Sequence, residues 1–231
     1  MVIGRQLWSS GANHGRKATR PPTRQTIDPR QLTMDHSPNP RIEWPVMAAI
    51  LEREIKLGFR NADQAREAIL ATGATPLRGR RLQEDYLLDT PQDTLRDRRC
   101  VLRVRLECGK TMLTFKGPVQ TSPMKLREEL ETVVGDGLML LHVLEELGFR
   151  VWFRYEKYRE EFAHEDVTIA IDETPVGTFV EIEGSERGID DMAAALARKR
   201  TDYVTDSYRG LFVKHCEQHG LPLTDMLFEE S

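Results

Sequence analysis

Glu52-Arg53-Glu54-Ile55-Lys56 is the stretch on which the fold turns. As a strand, it places Glu52, Glu54 and Lys56 on one face, two carboxylates for a cation and one ammonium for an anion. As a helix, it gives Leu51 and Ile55 an apolar stripe and makes Glu52 and Lys56 a favourable pair four residues apart. Period alone does not separate the two over so short a run. Gly58 and a helix-opening Asn61 leave too little length for a typical helix, and this favours the strand.

The same two-residue alternation returns downstream. In Leu102-Arg103-Val104-Arg105-Leu106 the arginines share one face and the apolar residues the other. Lys157 and Arg159 share a face, as do Glu181 and Glu183, whereas Asp172 lies opposite Ile169 and Ile171. Leu113 and Phe115 face away from Lys116. A solvated sheet face interleaves charges of both signs, because like charges side by side repel. Strands that each carry one sign fit a closed antiparallel barrel better, with a charged lumen and an apolar exterior covered by helices. Cationic and anionic strands then meet across the interior, and such a cavity calls for a ligand. Helices are expected over Ala62–Ala71, capped by Asn61 and stopped by Gly73, and from near Asp136 to Gly148. A third, Ala-rich helix is expected to be capped by Asp190 or Asp191, and a last one to run from Asp206 through His219. The expected fold class is therefore α+β, a closed antiparallel β-barrel with flanking helices.

The 231 residues suit one substantial domain plus extensions, and 39% hydrophobic against 30% charged residues leaves room for a core. No apolar run approaches the ~20 residues that span a bilayer. The net charge of −4 argues against a general nucleic-acid binder, since phosphate backbones reward a basic surface. Residues 1–45 are basic, rich in proline and without an acid before Asp28, which reads as a disordered tail or a start placed too early, with Met34 and Met47 as alternatives. The domain is then expected over 46–220, with 221–231 as a C-terminal tail. Cys100, Cys108 and Cys216 show no CxxC spacing and read as free thiols of a cytoplasmic protein. His215 and His219 have a zinc-compatible spacing, but Cys216 stands where the metalloprotease motif needs glutamate, so an exposed helix is expected.

With these strands come Gln83-Glu84-Asp85, Thr114-Phe115-Lys116-Gly117-Pro118, Arg127-Glu128-Glu129-Leu130-Glu131 and Ser207-Tyr208. In this order, from Leu51 to about Phe212, the set resembles the CYTH group of triphosphate tunnel metalloenzymes. That group includes class IV adenylyl cyclases, thiamine triphosphatases and inorganic triphosphatases, and the resemblance is nearest in style to the class IV cyclase-like members. It implies a catalytic centre at Glu52, Glu54 and Lys56, with Glu52, Glu54, Glu181, Glu183 and Asp172 around Mg2+ or Mn2+. It also implies that Lys56, Arg103, Arg105, Lys116, Lys157 and Arg159 hold the triphosphate, with Glu129 and Glu131 behind them. Where the group often has a tyrosine two residues after the aspartate matching Asp85, this chain has Leu87, and Tyr86 points to the other face.

The physical chemistry agrees with those roles. A triphosphate cannot be buried unless most of its charge is neutralised. Arginine offers two-pronged hydrogen bonds to phosphate, lysine a point charge, and carboxylates the hard oxygens that Mg2+ prefers. Arg127, Arg154 and Glu161 are set aside, because solvated faces explain them equally well. The expected partner is a small triphosphate, hydrolysed at its terminal anhydride or, alternatively, cyclised from ATP to cyclic AMP. A non-catalytic polyphosphate-binding barrel is the rival, and the oligomeric state stays open, a homodimer included.

Overall fold

The computed structural model describes residues 50–229, so the expectations for 1–45 and for an alternative start lie outside the described residues. Eight strands dominate: β1 (Ile50–Phe59), β2 (Thr75–Asp89), β3 (Val101–Glu107), β4 (Lys110–Lys116), β5 (Lys125–Val134), β6 (Arg150–His164), β7 (Val167–Thr174) and β8 (Gly177–Gly184). They close into an antiparallel barrel in the order β1-β5-β4-β3-β2-β6-β7-β8. The decisive stretch is thus a strand, and Lys56 lies beside Glu181 and Glu54 beside Glu183 across β1 and β8.

Alternation assigns the two faces. Ile55, Leu57, Ile169, Ile171, Val180 and Ile182 point outward and are buried. Two helices cover them, α1 (Ala62–Ala71) through Ala65 and Ile69, and α4 (Glu186–Ala195) through Ile189, Met192 and Ala193. Farther round the barrel's outer face, Leu88 and Val104 take Leu144 of α3 (Gly137–Glu146). Asn61 caps α1 by accepting from Gln64 N at 2.9 Å, and Asp136 caps α3 by accepting from Met139 N at 2.9 Å. Gly73 and Gly148, with φ of 88° and 90°, turn the chain out of these helices through the left-handed region that glycine enters without a Cβ clash.

Two helix starts differ from expectation. Ser185, not Asp190 or Asp191, caps α4, accepting from Gly188 N at 2.9 Å. Asp190 instead lies inside the helix and accepts from Tyr203 Oη at 2.8 Å. Likewise Ser207, not Asp206, caps α5 (Tyr208–His219), leaving Asp206 to bind Lys214 at 2.7 Å. A one-turn helix, α2 (Thr94–Asp97), joins β2 to β3.

α5 closes part of one barrel mouth. Its Tyr208 and Phe212 pack on Tyr155 and Phe153, whose rings lie on the lumen face of β6 at centroid distances of 6.1 and 5.9 Å. The described part of the segment set apart as a tail, 221–229, packs back as well. Met226 is buried and bridges β6 through Glu156 N to Met226 O at 2.9 Å and Met226 N to Arg154 O at 3.0 Å. Among the described residues no helix is long and apolar enough to cross a membrane.

Candidate active site

The lumen is lined by the charged faces. β1 contributes Glu52, Glu54 and Lys56; β3 Arg103 and Arg105; β4 Lys116; β5 Lys125, Arg127, Glu129 and Glu131; β6 Lys157, Arg159 and Glu161; and β8 Glu181 and Glu183. The cavity measures about 1010 Å³. Lys56 is 1% exposed and Lys157 2%, an expensive burial for ammonium groups unless each meets a counter-charge. Each does. Lys56 bridges Glu54 at 2.9 Å and Glu181 at 3.1 Å, and Lys116 bridges Glu52 at 2.7 Å and Glu129 at 2.9 Å. Arg105 grips Asp85 with two prongs, at 2.9 and 3.1 Å, and Arg103 adds Thr114 at 3.1 Å.

Every candidate residue from the sequence lies on this lumen face. Asp172 is fully buried and accepts from Lys157 at 2.8 Å, from Arg159 at 2.7 and 2.6 Å, and from the phenol of Tyr208. Burial alone would raise its pKa, but Arg159 and Lys157 outweigh it and hold the carboxyl well below the usual range. Its oxygens so engaged, Asp172 holds Lys157 and Arg159 in place in this structure. Arg127 and Glu161, set aside as solvent-facing, also belong to the lumen: Arg127 is buried against Glu52 at 3.4 Å, and Glu161 takes Arg81 at 2.7 Å. Arg154 is the one of the three that points outward, its guanidinium 5.1 Å from the Tyr86 ring.

Sequence reasoning missed Lys125, Glu107, Tyr155 and the placement of Tyr208, and gave no role to Asp85, which it quoted only as part of the resemblance. Lys125 pairs with Glu54, Asp85 anchors both β3 arginines, and Glu107 receives Gln83, Arg78 and Arg81. Alternation within Lys125-Leu126-Arg127 was the available signal. Tyr155 enters the lumen on β6, beside Asp85 on β2, where Leu87 replaces the family's usual tyrosine.

Titration behaviour divides the carboxylates. Burial pushes Glu54 up, but Lys56 and Lys125 outweigh it and hold it well below the usual range. Glu52 is raised by burial and by the neighbouring Glu54, against the pull of Lys116. Glu183 is pushed up to about 7, by partial burial and then by repulsion from Glu52, Glu181 and Glu54, although part of its side chain reaches solvent at the rim. Glu52 and Glu183 thus resist ionisation while Glu54 and Glu181, held low by neighbouring cations, do not, and the four together form an oxygen-only donor set, the chemistry that suits Mg2+ or Mn2+. Among the described residues no three acidic, histidine or cysteine side chains are grouped closely enough to hold a metal as they stand. Lys56, Lys116 and Lys125 sit against the same carboxylates a cation would take.

A CYTH domain family model matches residues 51–208. A Methanocaldococcus jannaschii protein provisionally named an adenylate cyclase is 29% identical over 148 residues, covering 64% of this chain and 84% of that protein. A provisionally named adenylate cyclase from Vibrio parahaemolyticus shares the fold with a TM-score of 0.63 at 20% identity, over 71% of this chain and 99% of its own. A Hippeastrum protein, provisionally an adenylyl cyclase and described as having a dominant triphosphatase activity, has a TM-score of 0.53 at 16% identity, covering 75% of this chain and 97% of its own. Barrel, charged lumen and family match run over the same stretch of sequence, and this chain belongs to the CYTH domain family.

Proposed function

We propose that this chain is a divalent-metal-dependent enzyme that hydrolyses the terminal phosphoanhydride of a triphosphate held in the barrel lumen. One observation carries the proposal: buried lysines and arginines from β1, β3, β4, β5 and β6 converge on one cavity that also holds the Glu52, Glu54, Glu181 and Glu183 carboxylates. Phosphoryl transfer asks little covalent chemistry of a protein and depends on positioning and charge stabilisation. Arg103, Arg105 and Arg159 would grip phosphate oxygens, and Lys56, Lys116 and Lys157 would neutralise them. Glu52, Glu54, Glu181 and Glu183 would hold Mg2+ or Mn2+, which when bound withdraws charge from the phosphate oxygens and activates water. The triphosphatase activity described for the Hippeastrum protein supports hydrolysis.

A second outcome is cyclisation of ATP to cyclic AMP and pyrophosphate, favoured by the name of the Methanocaldococcus jannaschii relative. Both reactions use the same grip on the triphosphate, so the lining charges do not separate them. Product analysis on tripolyphosphate, ATP and thiamine triphosphate, with Mg2+ and separately with Mn2+, does. Orthophosphate release abolished by chelator is the expected result. Cyclic AMP with pyrophosphate would make the chain a cyclase, and tight binding with no turnover would leave a polyphosphate-binding barrel.

A further inference from the structure

We propose that the barrel mouth beside α5 is a second anion site, built from Arg209, Arg99 and Trp152, that takes phosphates of a linear inorganic polyphosphate extending beyond the triphosphate in the lumen. This rests on the reading of the lumen as a triphosphate site.

The lumen and this mouth form one cavity, whose about 1010 Å³ lies at the upper end of the roughly 300–1,000 Å³ typical of small-molecule sites. A bare triphosphate leaves much of it unfilled. Among the described residues that line it, Arg99 and Arg209 are the two cations with no carboxylate oxygen within 4.0 Å, whereas Arg103, Arg105, Arg159, Lys116 and their neighbours are all paired. Arg209 Nη1 is buried and has no hydrogen-bond partner. A buried guanidinium donor left unmade is costly, and because Nη1 is closed to solvent as it stands, the guanidinium turns to offer it to an anion. Burial, and then the nearby Arg96, makes the charged form of Arg209 harder to hold, the opposite of what paired lumen cations such as Arg103 and Arg159 experience.

The anion reaches this mouth continuously from the lumen. Tyr208, directly before Arg209, has its ring 4.7 Å from Lys157 Nζ and 5.1 Å from Lys56 Nζ. Trp152 does not offer an open stacking face for a base. The guanidiniums of Arg96 and Arg209 already lie 4.5 and 4.9 Å from its ring, and Arg209 also lies 5.0 Å from Phe153. These rings hold the guanidinium in place while its donors stay free. Arg96 is engaged by Asp93 and Lys214 by Asp206, so they contribute little, and Glu217 on the same rim opposes the anion. Arg209 and Arg99 therefore carry the site.

Tripolyphosphate, ATP and a long-chain linear polyphosphate are titrated into the full chain by calorimetry and by tryptophan emission, with chelator present to stop metal-dependent turnover. Subtracting the Trp152→Phe signal removes the contribution of Trp8 and Trp44. The long chain is expected to bind more tightly than tripolyphosphate and to change Trp152 emission where tripolyphosphate does not. Part of that preference is statistical, since a long chain offers many registers, and that part survives mutation. Arg209→Met is expected to cut the ratio of the two affinities by about tenfold, the factor one charge-assisted hydrogen bond supplies, with Arg209→Lys restoring part of it. Arg99→Gln, at an exposed position, is expected to lower the same ratio and guards against a folding defect at Arg209. An unchanged ratio in both variants overturns the proposal, as does a larger Trp152 response to ATP than to the long chain, which would place a base at the mouth. If tripolyphosphate itself binds neither with chelator nor with Mg2+ present, the lumen reading fails and this inference falls with it.

Discussion

The phenol of Tyr208 donates to the Asp172 carboxylate, tying α5 to the lumen face of β7 at a point where the same carboxylate also receives Lys157 and Arg159. The Tyr208 ring then lies against Lys56 and Lys157, at 5.1 and 4.7 Å. One residue thereby helps close the barrel end and fixes the carboxylate that orients two lumen-facing cations. Tyr208→Phe keeps the ring and removes the donor. A hydrogen bond to a charged group contributes about 1.5–3 kcal/mol, so unfolding by denaturant should show a loss of that order. A variant as stable as the parent would mean that Lys157 and Arg159 satisfy Asp172 without the phenol.

The metal assignment is tested by Glu52→Gln combined with Glu54→Gln. Removing these carboxylates leaves Lys116 and Lys125 without their closest partners, so the fold should weaken yet persist. A bound metal supplies several kcal/mol of charge stabilisation, so turnover should fall at least about 100-fold and divalent-metal binding should disappear from a calorimetric titration. Turnover that survives in the folded double variant would remove Glu52 and Glu54 from the metal site.

The barrel was legible because its strands carry one sign of charge on one face. Arg103 with Arg105, Lys157 with Arg159 and Glu181 with Glu183 declare a lined interior before any coordinate is known. Alternation says which face a residue takes but not which neighbour it meets. Asp172 shows the difference: its face was readable, while its capture by Arg159 and Tyr208 depends on β6–β7 register and on the docking of α5. Lys125 and Arg127 were hidden for another reason. β5 carries Glu128 beside Glu129, so charge occupies both faces and the period is blurred. The start of α4 was misplaced because Gly188 interrupts its helical pattern and draws attention to the aspartates beyond, although Ser185 makes the cap.

Arg103→Met isolates the triphosphate grip from the metal carboxylates. Arg103 stands at 3.4 Å from Asp85 and 3.5 Å from Glu131; after the change Asp85 keeps its two-pronged partner Arg105, and the part-exposed Glu131 keeps the Thr114 hydroxyl at 2.8 Å. Losing one charge-assisted contact to phosphate should raise KM by about tenfold or more with a smaller effect on kcat. Normal saturation behaviour with the variant would place the triphosphate elsewhere in the lumen.

Proton uptake offers a test that needs no turnover. Burial, and then repulsion from Arg159, lowers the Lys157 ammonium to about 7 despite the attraction of Asp172. Because the folded value lies below the ordinary 10.5, the native chain holds fewer protons than the unfolded chain between about 7 and 10.5. This group's contribution to stability therefore rises with pH across that window, and its cost is fully present below about 7. A triphosphate reverses the balance, since added negative charge favours the ammonium. Binding of tripolyphosphate near pH 8 should draw protons from solution, seen as a binding enthalpy that changes with the ionisation enthalpy of the buffer, and affinity should weaken as pH rises through about 7. Lys157→Met should lose most of that uptake. Equal uptake in the variant would assign the proton to the ligand itself or to Lys125, which burial also lowers, to about 8.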